Sequence, residues 1–364
     1  MHNNSENKPT RLLIVDDSRL IRRVISNIFE PLDDIEVVGE ACNGKEALDL
    51  IPHLNPDVVT MDIEMPVMDG LTALKHIMVL CPKPTVMLST LTRNGAKTTF
   101  DALKLGAIDF IHKPNRLNKL TVQDQQKHII HTITYAARVQ IDAVRYIRPQ
   151  PVPVAKTGDW DINMYDCFVV IGAAEGGYRD ILNIVPHLSA QYPVAFMVML
   201  YTSSEVADNF ARYLDDCSAI RVKRVKDGEV VRGGICYLIS EDEYVTVHEK
   251  KQEHIVNINP SPFPSRRGAI NMLMFTVAEL MGERAVGVIL SGLGDDGAEG
   301  LEEIIRMGGT CYLQNPQNCL YKEMPEAVLE ICTPDFIMLS DREIAAKIND
   351  LYINGKFRYA PPYI

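Results

Sequence analysis

Short apolar runs rich in β-branched residues recur along the first third of the chain, at Leu12–Val15, Glu36–Gly39, Val58–Met61, Thr85–Leu88 and Asp109–Ile111. The stretches between them have the length and the three-to-four-residue periodicity of amphipathic helices. This alternation predicts an α/β domain over residues 10–147, with a five-stranded parallel sheet covered by helices on both faces. Its last helix is expected to be long, from Thr121 to Ile147, because Ile129, Ile133, Ala137 and Ile141 recur at four-residue spacing and form one packing stripe.

The pattern then breaks at Arg148-Pro149-Gln150-Pro151-Val152-Pro153. Proline lacks a backbone donor and favours extended conformations, so residues 148–164 read as a linker. Alternation resumes at Cys167–Gly172 and continues through Val194–Leu200, Gly234–Ile239, Ala285–Leu290 and Thr310–Leu313. A second, larger α/β domain, doubly wound and mainly parallel, is expected over residues 165–354. Residues 1–9 and 355–364 read as a flexible start and a loose tail, and no internal repeat appears.

Composition narrows the chemistry. At 364 residues and 46% hydrophobic content, the chain can bury two cores. A net charge of -11 works against the clustered Lys and Arg that grip a phosphodiester backbone, so nucleic acid is not expected as a partner. Met1–Thr10 lacks a basic-then-apolar leader, and no apolar run approaches the roughly 20 residues of a membrane helix. A cytoplasmic protein without membrane insertion is expected. The eight cysteines include no Cys-x-x-Cys pair and read as small buried hydrophobes in a reducing compartment, not as a zinc site.

Asp16 and Asp17 follow the first strand, and Asp62 follows the third. Strand C-terminal ends of a parallel sheet share one edge, so the three carboxylates can converge there. Such a cluster repels itself unless a cation joins it, and a hard, oxygen-seeking ion such as Mg²⁺ fits. Ser89 closes the fourth strand and Lys113 follows the fifth. A carboxylate nucleophile, a metal, a hydroxyl and an ammonium facing one point suit transfer of a phosphoryl group onto Asp62.

The stretches Val15-Asp16-Asp17-Ser18, Met61-Asp62-Ile63-Glu64-Met65-Pro66-Val67-Met68-Asp69-Gly70, Ser89 and Lys113-Pro114 resemble the flavodoxin-like receiver domain of two-component response regulators. The resemblance implies that a histidine kinase supplies the phosphoryl group to Asp62. It also implies that Asp17, Asp62 and the backbone carbonyl of Glu64 hold Mg²⁺ with Asp16 assisting. Ser89 would bond the phosphoryl oxygens in the active state. Phe110 stands where the family has a switching aromatic.

In the second domain, Ala207-Asp208-Asn209-Phe210-Ala211, Asp227-Gly228, Gly287-Val288-Ile289-Leu290-Ser291-Gly292-Leu293-Gly294-Asp295-Asp296-Gly297 and Met324-Pro325 resemble the effector domain of chemotaxis protein-glutamate methylesterases, the CheB family. That family hydrolyses glutamyl methyl esters and deamidates glutamines on chemoreceptors with a Ser-His-Asp triad. Against the family's Gly-Ala-Ser-Thr-Gly-Gly turn, Gly172-Ala173-Ala174-Glu175-Gly176-Gly177 puts Ala174 at the serine; with Phe210-Ala211 as anchor the histidine falls on Tyr201, and only the aspartate remains, as Asp296. Asp296 is expected to cap the helix that follows it. Tyr244 stands where the family often has histidine, and Asn271 where it often has aspartate.

The resulting expectation is a phosphorylation-regulated response regulator whose methylesterase-like domain has lost ester hydrolysis and works by binding. A chemoreceptor, another signalling protein or a second copy of the chain are the partners left open. One rival is an active methylesterase with a nucleophile relocated to Ser203, Ser204 or Ser291, which needs a base such as His187, His248 or His254 within reach. The other is a ligand-sensing module that uses the rebuilt cleft.

Overall fold

The computed structural model describes residues 8–90, 93–113, 122–139, 165–260, 268–332 and 337–353. The expected linker at 148–164 and the tail at 355–364 lie outside the described residues. The chain divides into two compact units, Met1–Arg148 and Pro149–Ile364.

In the first unit the strands are β1 (Thr10–Val15), β2 (Ile35–Ala41), β3 (Val58–Asp62), β4 (Thr85–Ser89) and β5 (Asp109–His112). Between them run α1 (Arg19–Phe29), α2 (Gly44–Leu54), α3 (Gly70–Leu80) and α4 (Arg93–Lys104), and α5 (Val122–Ala136) follows β5. All neighbouring strands are parallel, in the order β2-β1-β3-β4-β5. The chain therefore reverses its winding between β1 and β3, which opens a crevice outside their carboxyl ends. Strands β3 and β4 are buried along their whole length, as expected of a sheet covered on both faces.

Helix α5 is shorter than its apolar stripe suggests. Ile129, Ile133 and Ala136 are buried, but the helix stops at Ala136. The amides of Arg138 and Val139 turn back to the carbonyls of Tyr135 and Ala136, a tightened last turn that ends the α pattern. Residues 140–147, the rest of the expected helix, lie outside the described residues.

The second unit holds a seven-stranded sheet, entirely parallel, built from β6 (Cys167–Ala173), β7 (Val194–Leu200), β8 (Arg221–Arg224), β9 (Ile235–Ile239), β12 (Ala285–Ile289), β13 (Thr310–Gln314) and β14 (Ile337–Leu339). Their order is β14-β13-β12-β6-β7-β9-β8, so the winding reverses at β6. The helices are α6 (Gly177–Ile184), α7 (Ser204–Cys217), α8 (Ala269–Met281), α9 (Ala298–Arg306), α10 (Glu323–Ile331) and α11 (Asp341–Ile353). A core containing Phe168, Val170, Met197, Leu273, Met274 and Leu301 joins sheet and helices.

An antiparallel ribbon, β10 (Glu243–Lys250) with β11 (Glu253–Pro260), was not anticipated as strands, although Val245 to His248 and Val256 to Asn259 alternate apolar and polar positions. Its two-residue turn, Lys251-Gln252, has φ of 54° and 65°, the geometry that matches the twist of a hairpin. Val245, Val247 and Val256 face the core, and the Val247 amide donates to Thr276 Oγ1 on α8. Of the cysteines, Cys167, Cys236, Cys311 and Cys332 are buried as expected, whereas Cys42 is exposed.

His254 on β11 is bonded through Nδ1 to the Tyr165 hydroxyl, just before β6. Burial holds its pKa below the ordinary 6.5. A depressed folded-state pKa favours folding above pH 6.5, and that contribution is lost as pH falls through the folded value. Thermal melts are therefore expected to show a smaller loss on acidification below pH 6.5 for His254→Gln than for the parent.

Candidate functional site

The reversal point of the first unit gathers carboxylates from two strand ends. Asp16 and Asp17 leave β1 and Asp62 closes β3; one oxygen from each lies within 4.8 Å of the others, with Asp16 and Asp62 buried and Asp17 exposed. Lys113 leaves β5, tied to β4 by its amide bond to the Ser89 carbonyl at 2.8 Å. Its Nζ reaches Asp16 Oδ2 at 2.9 Å and Asp62 Oδ1 at 2.8 Å. A cavity of about 260 Å³ over this group is lined by Asp17, Asp62, Glu64, Thr90, Gly95 and Lys113.

Burial raises the Asp62 pKa, opposed by its bond to Lys113. For Lys113 burial acts downward, but the bonds to Asp62 and Asp16 outweigh it and hold the ammonium above its ordinary value. One ammonium thus faces two buried carboxylates and a third at the rim. A clustered set of carboxylate oxygens with one exposed member suits Mg²⁺, which keeps several waters and takes few protein ligands.

The local chain is shaped for this. The loop from Ile63 to Asp69 turns sharply at Val67, where φ is 69° and the Met68 amide donates to the Pro66 carbonyl at 2.8 Å. This is a three-residue turn that β-branched residues rarely make. Asp69 then caps α3 through the Thr72 amide at 2.8 Å. Gly70 is obligatory in this arrangement: a Cβ there would lie 1.9 Å from the Asp62 carbonyl oxygen.

Two expected members do not line the cavity. Ser89 is fully buried, its Oγ 2.7 Å from Thr99 Oγ1 on α4, and it does not line the cavity. The neighbouring Thr90, absent from the sequence-derived set, does. A strand alternates its side chains between faces, so the hydroxyl that follows Ser89 was the available signal. Phe110 is 8% exposed and packs edge-on against Phe100, with centroids 6.0 Å apart.

In the second unit, Ala174, Tyr201 and Asp296 leave the carboxyl ends of β6, β7 and β12, at the reversal point of that sheet. The Tyr201 hydroxyl donates to Asp296 Oδ2 at 2.5 Å. Asp296 does not cap the helix that follows it. Its carboxylate accepts from the amides of Ile270 and Asn271 at 2.9 and 3.0 Å, and so caps α8. The cap of α9 comes from Asn271, whose Oδ1 accepts from the amides of Gly297 and Gly300 at 2.9 and 2.7 Å. The two helices pack against each other, so α8 finds its acceptor on the loop before α9, and α9 finds its acceptor on the first turn of α8.

Ala174 is buried, and its amide donates to the Ser291 carbonyl at 3.0 Å. Gly292 fits against it because it lacks a Cβ, which would come within 2.7 Å of Ala174 Cβ and 2.1 Å of Met324 Sδ. The Met324 amide in turn donates to the Gly292 carbonyl at 3.0 Å. Of the candidate substitute nucleophiles, Ser291 is buried and bonded to Tyr321 backbone atoms, and Ser204 to Ser240 and Asp242. Among the described residues, none of His187, His248 and His254 bonds to Ser203, Ser204 or Ser291; His187 and His248 are exposed, and His254 is paired with Tyr165.

A strand order of 2-1-3-4-5 with acidic strand ends, followed by a separate seven-stranded α/β unit, defines a response regulator with an effector domain. Residues 12–123 match the response regulator receiver domain and residues 169–348 the CheB methylesterase. The protein-glutamate methylesterase/protein-glutamine glutaminase of Pyrococcus abyssi is 34% identical over 90% of this chain and 90% of its own. Protein-glutamate methylesterase/protein-glutamine glutaminase 2 of Nitratidesulfovibrio vulgaris is 32% identical over 94% of this chain and 99% of its own. The crystal structure of the Thermotoga maritima CheB methylesterase catalytic domain aligns with 52% of this chain and 100% of that one, at 26% identity and a TM-score of 0.49. The chain belongs to the CheB protein-glutamate methylesterase family. Among the described residues no helix is long and apolar enough to cross a membrane.

Proposed function

We propose that this chain is a chemotaxis-type response regulator in which Asp62 accepts a phosphoryl group from a histidine kinase and the methylesterase-like unit binds its partner without cleaving esters. The observation that carries the second half is the Tyr201–Asp296 bond beside Ala174. A triad needs an imidazole at that carboxylate to take a proton from the nucleophile. Burial, followed by the charge of Asp296, holds the Tyr201 phenol well above its ordinary pKa. It keeps its proton and cannot serve as a base near neutrality. Ala174 has no atom to attack with.

One further feature supports loss of hydrolysis. No imidazole is bonded to the nearby serines among the described residues. For the receiver, Asp16, Asp17, Asp62 and the Glu64 carbonyl are the atoms that would hold Mg²⁺. Bound there, the ion supplies positive charge to the moving phosphoryl group. Lys113 holds Asp62 in place and adds charge of the same sign.

The second reading, an active methylesterase with another nucleophile, is favoured by the names its relatives carry. Methanol release from a methylated chemoreceptor separates the two, measured with and without a small phosphodonor and Mg²⁺. Phosphate uptake that disappears in Asp62→Ala, with no methanol from either protein, is the expected result. Methanol that rises with phosphorylation of Asp62 would establish the active enzyme instead.

A further inference from the structure

Beside the cleft of the second unit lies a buried polar cluster that neither the phosphoryl site nor the triad positions use. Asp180 and Asn183 stand three residues apart on α6, hence on one face, and are 5% and 4% exposed. Asp180 Oδ1 accepts from Gln314 Nε2 at 2.9 Å, while Asp180 Oδ2 has no hydrogen-bond partner. Asn183 Nδ2 donates to Asp341 Oδ2, at the start of α11, and Asn183 Oδ1 also lacks a partner. Exchanging the oxygen and nitrogen of the Asn183 amide does not cure the deficit, because it would set the amide oxygen against the Asp341 carboxylate. The cluster is one hydrogen short.

We propose that Asp180 is a proton-binding site, holding a proton on Oδ2 and sharing it with Asn183, and that this proton sets the grip on the turns around Ala174. The grip is a chain of bonds. Because the Gln314 amide gives its nitrogen to Asp180, its Oε1 faces the other way and accepts from the Ser291 amide at 2.8 Å. The Ser291 carbonyl takes the Ala174 amide, and Ser291 Oγ accepts from the Tyr321 amide at 2.9 Å and donates to the Tyr321 carbonyl at 3.1 Å. Asp180 thereby fixes the turn after β6, the end of β12 and the segment leading into α10.

The charged groups that act on Asp180 are Asp341 on α11 and Arg179 on its own helix; the Cys319 thiol, between β13 and α10, feels Asp180 and Asp341 together with Glu326 and Glu323 on α10. Burial and then the Asp341 charge push the Asp180 pKa up to about 7, against the bonds and charges of Gln314 and Arg179. In the unfolded chain it titrates near 3.8. Between those values only the folded state holds the proton, so this group's contribution to stability falls as pH rises through that window. Above it the buried carboxylate is charged, and although its bond from Gln314 favours that form, the larger burial cost makes any opening that brings Asp180 to water easier, so the chain of bonds is released more often.

A carboxyl ¹³C titration of the full chain, with melting curves of Asp180→Asn, tests the assignment. Asp180 is expected to titrate near neutrality. Relative to the parent, Asp180→Asn should gain melting temperature from about pH 5 to about pH 8, because its amide needs no proton. Exchange of the Ser291 amide, corrected for its intrinsic pH dependence, should rise about tenfold in the parent across that range and stay flat in the variant. An Asp180 carboxylate already ionised at about pH 5, or parallel pH profiles for the two proteins, overturns the proposal. Should Asp180→Asn fail to fold, Asp341→Asn keeps a partner for Asn183 and removes the like charge. It is then expected to lower the Asp180 midpoint, and an unchanged midpoint overturns the proposal equally.

Discussion

Replacing Ala174 with serine and Tyr201 with histidine together is expected to turn this chain into a methylesterase, while neither change alone does. The third member is already in position. Asp296 is held by the amides of Ile270 and Asn271 and accepts a bond from residue 201. A histidine at 201 gives that carboxylate an imidazole to orient, and a serine at 174 gives the imidazole a proton to take.

Ala174→Ser alone has a hydroxyl without a base, and Tyr201→His alone has a base without a nucleophile, so the effects are strongly non-additive. The double variant is expected to release methanol from methylated receptor at least ~10³-fold faster than either single variant. Circular dichroism on all three proteins checks that the fold is kept. A folded double variant that stays at the level of the single variants would place the loss elsewhere as well.

The second large effect is expected at Lys113. Its ammonium bonds both Asp16 and Asp62, which are 0% and 3% exposed. Lys113→Ala leaves two buried carboxylates facing each other without their counter-charge, and a cost of about 3 kcal/mol in metal-free buffer is expected. Mg²⁺ offers the missing charge at the same point. The melting temperature of Lys113→Ala should therefore rise far more with added Mg²⁺ than that of the parent. Phosphate uptake from a small donor should fall by about 10²-fold, because a charge aimed at the moving group is gone. Equal Mg²⁺ responses in the two proteins would show that metal and ammonium do not share the task of balancing these carboxylates.

Much of this was legible along the chain. Apolar runs separated by helical periods carry their own burial requirement, and a parallel sheet is the arrangement that covers such strands on both faces. Acidic residues placed just after those strands must then meet at one edge, so Asp16, Asp17, Asp62 and Lys113 could be grouped before any coordinates. Other features depended on neighbours distant in sequence. Whether Ser89 turns to the cavity or to Thr99 is decided by the packing of α4. The end of α5 at Ala136 is set by a tightened turn that a four-residue stripe does not reveal.

The second unit divides in the same way. The sequence by itself determined that positions 174 and 201 carry a methyl and a phenol, and the resemblance implies a hydroxyl and an imidazole there. Side-chain chemistry travels with the residue, whatever the packing. Only the tertiary structure decided what Asp296 bonds. A carboxylate accepts from whichever donors the fold brings to it, and here they are the first amides of α8, with the Tyr201 phenol beside them. Local rules pointed to the helix immediately following, but that helix is capped by Asn271, a residue 25 positions before Asp296. No window of sequence contains both ends of such an exchange.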